Sequence, residues 1–433
     1  MQKPPSPQRP VFVIDGRRSP FLKARNRPGP FKAAELAVQA ARPLLLRQPF
    51  EATALDEVIV GCVAPGADET NIARVVALRI GCGHHMPAWT VQRNCGSGMQ
   101  ALASAYHDIA SRRAELILAG GVEVMSRAPV LWSDTMVAWL ATWRTASKSK
   151  RLKLLGRLRP AHLSPIISLL KGLTDPITGL SMGQTAENLA HRFKIDREQM
   201  DAYACESHRR LRRAQEAGYL DEIEVVYDAK GGWYERDDGV RHDASMDKLA
   251  TLKPAFDQPF GSITAGNSAQ ISDGAAWLIL ASEDATKAHD LSVLARIVDC
   301  EWAGVDPAAM GLGPVHAVAP LLARHDLAPD RIDYWELNEA FAAQVLACLA
   351  AWMDSRYCQQ ELGLDKAFGQ IPHAHLNIDG GGISLGHPVA ASGARIVLHL
   401  IKVLQREHAR RGVATLCIGG GQGGAMLIEN MAS

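Results

Sequence analysis

Two distant stretches of this chain repeat one order of features, and that repeat constrains the fold more than any other property. In "VQRNCGSGMQALASAYHDIASRRAELILAGG" a small-residue turn leads into a helix rich in Ala and Ser, then into an apolar strand that runs up to Gly-Gly. Near the end, "NIDGGGISLGHPVAASGARIVLHLIKVLQRE" and "GVATLCIGGG" present the same order. Such self-similarity reports a duplicated structural unit. Around both copies, β-branched strands ("VFVIDGRR", "DEVIVGCV", "LARIVDCEWAG") alternate with helical segments such as "AAELAVQAARPLLL". Alternation of this kind predicts an α/β chain with a mostly parallel sheet covered by helices. One half is expected at 1–128 with 255–288 and the other at 289–433, each copy's strand ending at its Gly-Gly pair.

Residues 129–254 break the rhythm with Pro and Gly punctuation, basic clusters and the turn-rich "YERDDGVRHDASMD", so they read as an insertion. One block in it, "SMGQTAENLAHRFKIDREQMDAYACESHRRLRRAQEAG", has amphipathic helical spacing. A formal net charge of +1 gives no global attraction to nucleic acid. No uncharged apolar run reaches the roughly 18 residues of a membrane span, and "MQKPPSPQRP" lacks the apolar core of a signal peptide. A cytoplasmic location is the expectation. Eight dispersed cysteines without C-x-x-C spacing disfavour a disulfide framework or structural zinc. "GCGHH" crowds Cys82, His84 and His85 without a fourth ligand, so no metal is expected.

Three side chains stand where chemistry is done. Cys95 precedes a helix, at the positive end of its macrodipole, which favours the nucleophilic thiolate. The plainer alternative is a small residue at a tight helix start. His387 sits between Gly386 and Pro388 on a sharp turn into an Ala-rich helix, with Pro expected at the first helical position. A neutral imidazole within reach of a thiol takes its proton, although a lone loop histidine is more often a surface residue. Cys417 closes a strand at its carboxyl end, where open α/β sheets place ligands. The glycines after it lead into the strand "AMLIEN" with no Lys-Ser/Thr, which argues against a phosphate loop. They suit bringing backbone N–H groups, notably that of Gly419, close to a reacting oxygen. Asn338, in "NEAFAAQ", either caps the following helix or holds a water or carbonyl in the site.

Taken in order, "NCGSGMQA", "AGGVEVMSRAP", "SMGQTAEN", "LKPAF", "GSITAGNS", "SDGAA", "LNEAFAAQ", "NIDGGGISLGHPVAASGAR" and "CIGGGQGG" resemble the thiolases from about Val11 to Glu429. The resemblance implies a five-layered αβαβα body of two βαβαβ-type halves, with the insertion as a loop domain over the substrate. It implies that Cys95 is the acylated nucleophile, His387 its activating base and Cys417 the acid/base acting on the α-carbon of acetyl-CoA. Asn338 with His387 would hold a water in one oxyanion hole, and the N–H groups of Cys95 and Gly419 would form the other. Met182 and Met310 match acyl-pocket positions. Ser268 matches a substrate-binding position, while the serine contact to pantetheine falls on Ala269. The chain also departs from common family patterns at Gln92 and Ser181.

CoA and acyl-CoA enter as substrates, with no further cofactor and a homodimer or homotetramer as the expected assembly. The insertion and "NEAFAAQVLACLAAWMDSRYCQQ" look most like the thiolase subunit of fatty-acid oxidation complexes, which implies a hydratase-dehydrogenase partner. The expected reaction is CoA-dependent cleavage of a 3-ketoacyl-CoA to acetyl-CoA and a shortened acyl-CoA. Its reverse, the condensation of two acetyl-CoA, is the nearest alternative, and a non-catalytic acyl-CoA-binding subunit is the third. A decarboxylating ketoacyl synthase would carry a second histidine where this chain has Cys417. The stretch "TASKSKRLKLLGRLRPAHLSPIISLLKGL" reads as a solvated basic face, as an interfacial helix meeting membrane, acyl chain or an acidic partner, or as an attractor for CoA phosphates.

Overall fold

"LILAGGVEV" and "SDGAAWLILAS" are buried at every position, as strands covered on both faces must be, and they set the centre of the molecule. The computed structural model describes residues 9–431, so most of "MQKPPSPQRP" lies outside the described residues. The first half runs β1 (Val11–Arg18), α1 (Ala33–Leu46), β2 (Glu57–Gly61), α2 (Ile72–Ile80), β3 (Ala88–Val91), α3 (Ser97–Ala110) and β4 (Leu116–Val124). Residues 125–271 follow and include α4 (Asp134–Thr145), α5 (Lys148–Leu155), α6 (Met182–Phe193) and α7 (Arg197–Ala217), before β5 (Ser272–Ser282) closes the half. The second half runs β6 (Ala295–Gly304), α8 (Gly313–Arg324), β7 (Tyr334–Leu337), α9 (Ala342–Met353), α10 (Val389–Arg406), β8 (Arg411–Ile418) and β9 (Gln422–Asn430).

The strands form one continuous sheet in the order β7-β8-β9-β6-β1-β5-β4-β2-β3. Outward from the centre, β1, β5 and β4 pair antiparallel, then β4, β2 and β3 pair parallel. The second half repeats this: β6, β9 and β8 antiparallel, then β8 and β7 parallel. A lone parallel bridge between Trp335 and Leu376 stands at the place of its outermost strand. The duplication read from the motifs is therefore present in the topology. A short antiparallel pairing of residues 11–13 with 295–297 joins the halves.

Five layers follow from what each helix buries. Helices α1 and α2 cover one half-sheet and α8 and α9 the other. Between the half-sheets, α3 and α10 pack on each other in a shared apolar cluster that includes Met99, Leu102, Val397, Leu416 and Ile418. The two helices that follow the Cys95 and His387 turns thus form the buried middle layer.

Three expectations are corrected. The sheet is not mostly parallel: only β4–β2, β2–β3 and β8–β7 pair parallel, because the long central strands β1, β5, β4, β6, β9 and β8 meet antiparallel. Strand β4 does not stop at Gly120-Gly121 but continues to Val124. Those glycines are needed inside it, because a Cβ on Gly120 would lie 2.1 Å from the Ala276 carbonyl oxygen and one on Gly121 2.0 Å from that of Ala390. Pro388 is the residue flanking α10, with Val389 the first helical position.

The insertion is anchored by buried charge. Arg18 of β1 pairs with Asp237 at 2.7 Å and Glu222 at 3.1 Å. His399 of α10 lies between Glu222 at 3.0 Å and Asp379 at 3.2 Å. Helices α6 and α7 pack on α9 and extend the outer layer of the second half. Among the described residues no helix is long and apolar enough to cross a membrane.

Candidate active site

Cys95 sits on the turn before α3, whose flanking residue is Gly96. The turn is strapped from both sides: the Ser97 hydroxyl donates to the Asn94 carbonyl at 2.7 Å and accepts from the Arg93 N–H at 2.8 Å. Asn94 adopts the left-handed conformation, with φ of 44°, and its amide donates to the Gly419 carbonyl at 2.8 Å. That bond ties the Cys95 turn to the turn after β8. The N–H groups of Gly419 and of Cys95 itself both reach the Cys95 sulfur. These are the two amides expected in an oxyanion hole.

Helix-terminus position was expected to favour a Cys95 thiolate, and the structure corrects this. Burial pushes the thiol above its ordinary range, and the two N–H groups offset that only in part. A base is therefore required. His387 fits, since burial and the nearby Arg395 lower its pKa to about 4 and keep it neutral. Its Nδ1 lies 2.6 Å from the Ser392 hydroxyl, which in turn donates to the Pro388 carbonyl at 3.3 Å. With its own proton directed there, Ser392 accepts from Nδ1–H, which leaves the lone pair on Nε2. That Nε2 is buried and has no partner among the described residues.

Cys417 ends β8 and is 1% exposed, its thiol held well above the usual range by burial and by the neighbouring Cys95 and Cys348. A thiol so placed stays protonated and can act as an acid. Asn338 follows β7, its N–H bonded to the Thr415 carbonyl of the adjacent strand at 3.0 Å. It does not cap the helix; α9 begins at Ala342 with Phe341 in the flanking position. Both side-chain atoms of the Asn338 amide are buried without a partner among the described residues. Buried polar atoms are rarely left so, which marks the Asn338 amide, like His387 Nε2, as a group suited to a ligand or water.

A cavity of about 280 Å³ opens at Cys95, lined also by Val63, Glu123, Leu169, Met182, Val389 and Gly419. Cys95, Gly419, Met182 and Cys417 come together: a Cβ on Gly419 would lie 3.2 Å from the Met182 sulfur, and Cys417 feels the Cys95 charge. The first turn of α10, after His387, meets the first turn of α3, where a Cβ on Gly98 would lie 2.6 Å from the Ala390 carbonyl oxygen. Of the expected site residues, Cys95, Gly419 and Met182 line this cavity, whereas His387, Cys417, Asn338, Ser268 and Met310 are not on its wall. The Ser268 hydroxyl donates to the Thr264 carbonyl at 2.7 Å, and Met310 is packed in the outer core of the second half.

Two residues of the site were passed over in the sequence. Ser392 lies one helical turn beyond His387 and was quoted only as part of an Ala-rich helix. Glu123 is a carboxylate inside an apolar strand, a signal in itself. It lines the cavity, accepts from the N–H groups of Val63 at 2.9 Å and Ala64 at 3.0 Å and from Ala390 at the start of α10, and burial raises its pKa to about 7. No cluster of three or more His, Cys, Asp or Glu suited to a metal occurs among the described residues, Cys82 with His84 and His85 included.

Comparison with known proteins identifies the family. Residues 11–284 match the family model described as thiolase, N-terminal domain, and residues 291–430 that described as thiolase, C-terminal domain. Beta-ketoadipyl-CoA thiolase of Pseudomonas aeruginosa is 39% identical over 442 residues, covering 98% of this chain and 100% of that protein. The mitochondrial 3-ketoacyl-CoA thiolase of Rattus norvegicus is 37% identical over 427 residues, covering 98% of each. The crystal structure of the Bacillus anthracis acetyl-CoA acetyltransferase superposes with a TM-score of 0.84 at 36% identity, covering 98% of this chain and 99% of that one.

Proposed function

The chain belongs to the thiolase family and is an acyltransferase, and from that membership we propose that it is a degradative 3-ketoacyl-CoA thiolase. His387 Nε2 takes the Cys95 proton, and the thiolate attacks C3 of the 3-ketoacyl-CoA. The oxyanion is met by preorganised N–H donors or by a water on Asn338 and His387. The C2–C3 bond breaks, its electron pair passing to C2, which takes a proton from the Cys417 thiol and leaves as acetyl-CoA. A CoA thiol then gives its proton to the Cys417 thiolate and attacks the acyl-Cys95 carbonyl. The shortened acyl-CoA leaves, and His387 returns its proton to Cys95.

The observation that supports a 3-ketoacyl chain as substrate is the lining of the cavity at Cys95. Its wall carries Val63, Met125, Leu169, Leu173, Met182 and Val389, no lysine or arginine, and one carboxyl group, that of Glu123. An aliphatic acyl chain suits that surface, whereas the terminal carboxylate of a beta-ketoadipyl chain would find no cation and an acidic neighbour.

Turnover of purified protein on 3-ketoacyl-CoA esters of graded length, acetoacetyl-CoA and beta-ketoadipyl-CoA included, tests the proposal. Each buried methylene contributes about 0.8 kcal/mol, so kcat/KM is expected to rise roughly fourfold per added methylene until the cavity fills. Activity confined to acetoacetyl-CoA would favour the condensing alternative, and a preference for beta-ketoadipyl-CoA would contradict the assignment.

A further inference from the structure

The arm formed by residues 130–173 has two sides, and the mechanism above uses one of them. Its inner side contributes Ser168, Leu169, Gly172 and Leu173 to the Cys95 cavity. Its outer side exposes Val130, Leu131, Trp132, Val137, Leu140, Leu152, Leu155, Leu163, Ile167 and Leu170, a concentration of apolar side chains found nowhere else on the described surface. Isolated exposed leucines are ordinary, but ten exposed apolar side chains confined to one short arm mark an interaction site. The arm also has little core of its own: α4 buries Met136 and α5 buries Leu154, and the short helical turns after them bury nothing. Helices this short need packing to be stable in water.

Charge identifies what covers that side. Between Asp134 and Asp175 the chain carries Arg144, Lys148, Lys150, Arg151, Lys153, Arg157, Arg159 and Lys171 and no Asp or Glu. The described ion pairs pass from Arg113 to Arg192 without including one of them. With a net charge of +1 for the whole chain, the remainder is net acidic, so this arm is a local cationic pole. A second copy meeting it about a two-fold axis would bring like charges together. A surface that accepts cations and apolar side chains at once is a lipid interface with anionic headgroups, where Lys and Arg reach the phosphates while Leu and Trp enter the acyl boundary. We propose that the outer side of residues 130–173 docks on an anionic membrane surface. Docking there brings the Cys95 cavity, walled by the same arm, next to the layer into which long acyl chains partition.

Flotation of the full-length protein with phosphatidylcholine vesicles, with and without phosphatidylglycerol, tests this. Binding is expected only with phosphatidylglycerol and is expected to fall at high salt. Each surface cation contributes roughly fivefold to partitioning, so Lys148→Gln, Lys150→Gln and Lys153→Gln together are expected to weaken binding roughly 100-fold. Thiolysis of a short soluble substrate and the melting temperature should be unchanged in that variant, which would show that the fold is intact. Leu152→Ser with Leu155→Ser, which keeps every charge, is expected to weaken binding as well. Absence of flotation with phosphatidylglycerol, or equal binding of the triple variant, would overturn the proposal. So would a change in the sedimentation-velocity assembly state of the triple variant, since the covered side would then belong to a second copy.

Discussion

The base proposed for the reaction, His387, is oriented by a hydroxyl five residues further on. Ser392 accepts from Nδ1–H and so leaves Nε2 unprotonated, buried and without a partner among the described residues. Ser392→Ala leaves a buried N–H without its acceptor, at a cost of about 1–3 kcal/mol. Carried into the transition state, that lowers kcat by about 5- to 150-fold with KM little changed, a split that steady-state kinetics reads directly. The residues named from the sequence were those whose motifs carry chemistry in plain form: a cysteine at a helix start, a histidine on a Gly-His-Pro turn, a cysteine before glycines. Ser392 and Glu123 were not legible because their roles depend on which backbone groups the fold brings to them. The thiolate expectation for Cys95 failed for a related reason. A helix terminus can be read from a sequence, but the depth at which it is buried cannot, and here burial outweighs the two N–H groups that favour the thiolate.

Among the elements, β4 and α10 set the geometry of the site through contacts that admit no side chain. Gly121 of β4 faces the Ala390 carbonyl in the first turn of α10, where a Cβ would lie 2.0 Å away. Backbone on both sides leaves nothing flexible to yield, so Gly121→Ala is expected to destabilise by about 3 kcal/mol or more. Gly304→Ala at the end of β6 meets open space and should stay within about 0.5 kcal/mol of the parent protein. Denaturant unfolding of the two variants makes the comparison, and equal stabilities would contradict it. The repeated order of elements was legible because both copies preserve the small-residue turn, the Ala-rich helix and the apolar strand with its adjacent glycines. The end of β4 was misread because glycine inside a strand and glycine closing one look alike until the neighbouring backbone is known.

Across the whole molecule, the buried charges of Arg18, Glu222, Asp379 and His399 join β1, the insertion and α10, and they tie fold stability to pH. Glu222 and Asp379 raise the pKa of His399 to about 10, above its ordinary 6.5. Its contribution is therefore complete below pH 6.5 and is lost as pH rises through 10. His387 works in the opposite sense. With its pKa lowered from 6.5 to about 4, the unfolded chain binds the proton first, and stability falls as pH drops through that window. His399→Gln removes the cation that Glu222 and Asp379 share, leaving Glu222 with Arg18 and Asp379 with Arg406, and is expected to cost about 1.5–3 kcal/mol near neutral pH. The gap in melting temperature between it and the parent protein should narrow toward pH 10; a constant gap would contradict the assignment. None of this network was legible in the sequence, because its members lie far apart along the chain and only the insertion's path brings them together.

The central claim is that two thiols divide the work, Cys95 carrying the acyl group and Cys417 the proton of the carbon centre. Intact-mass spectrometry after incubation with acetyl-CoA, in the parent protein and in Cys95→Ala and Cys417→Ala, tests it most directly. The parent protein and Cys417→Ala are expected to gain one acetyl group, Cys95→Ala none, and Cys417→Ala is expected to be inactive in both thiolysis and condensation. An acetyl adduct on Cys95→Ala, or a Cys417→Ala protein that never acylates, would contradict it.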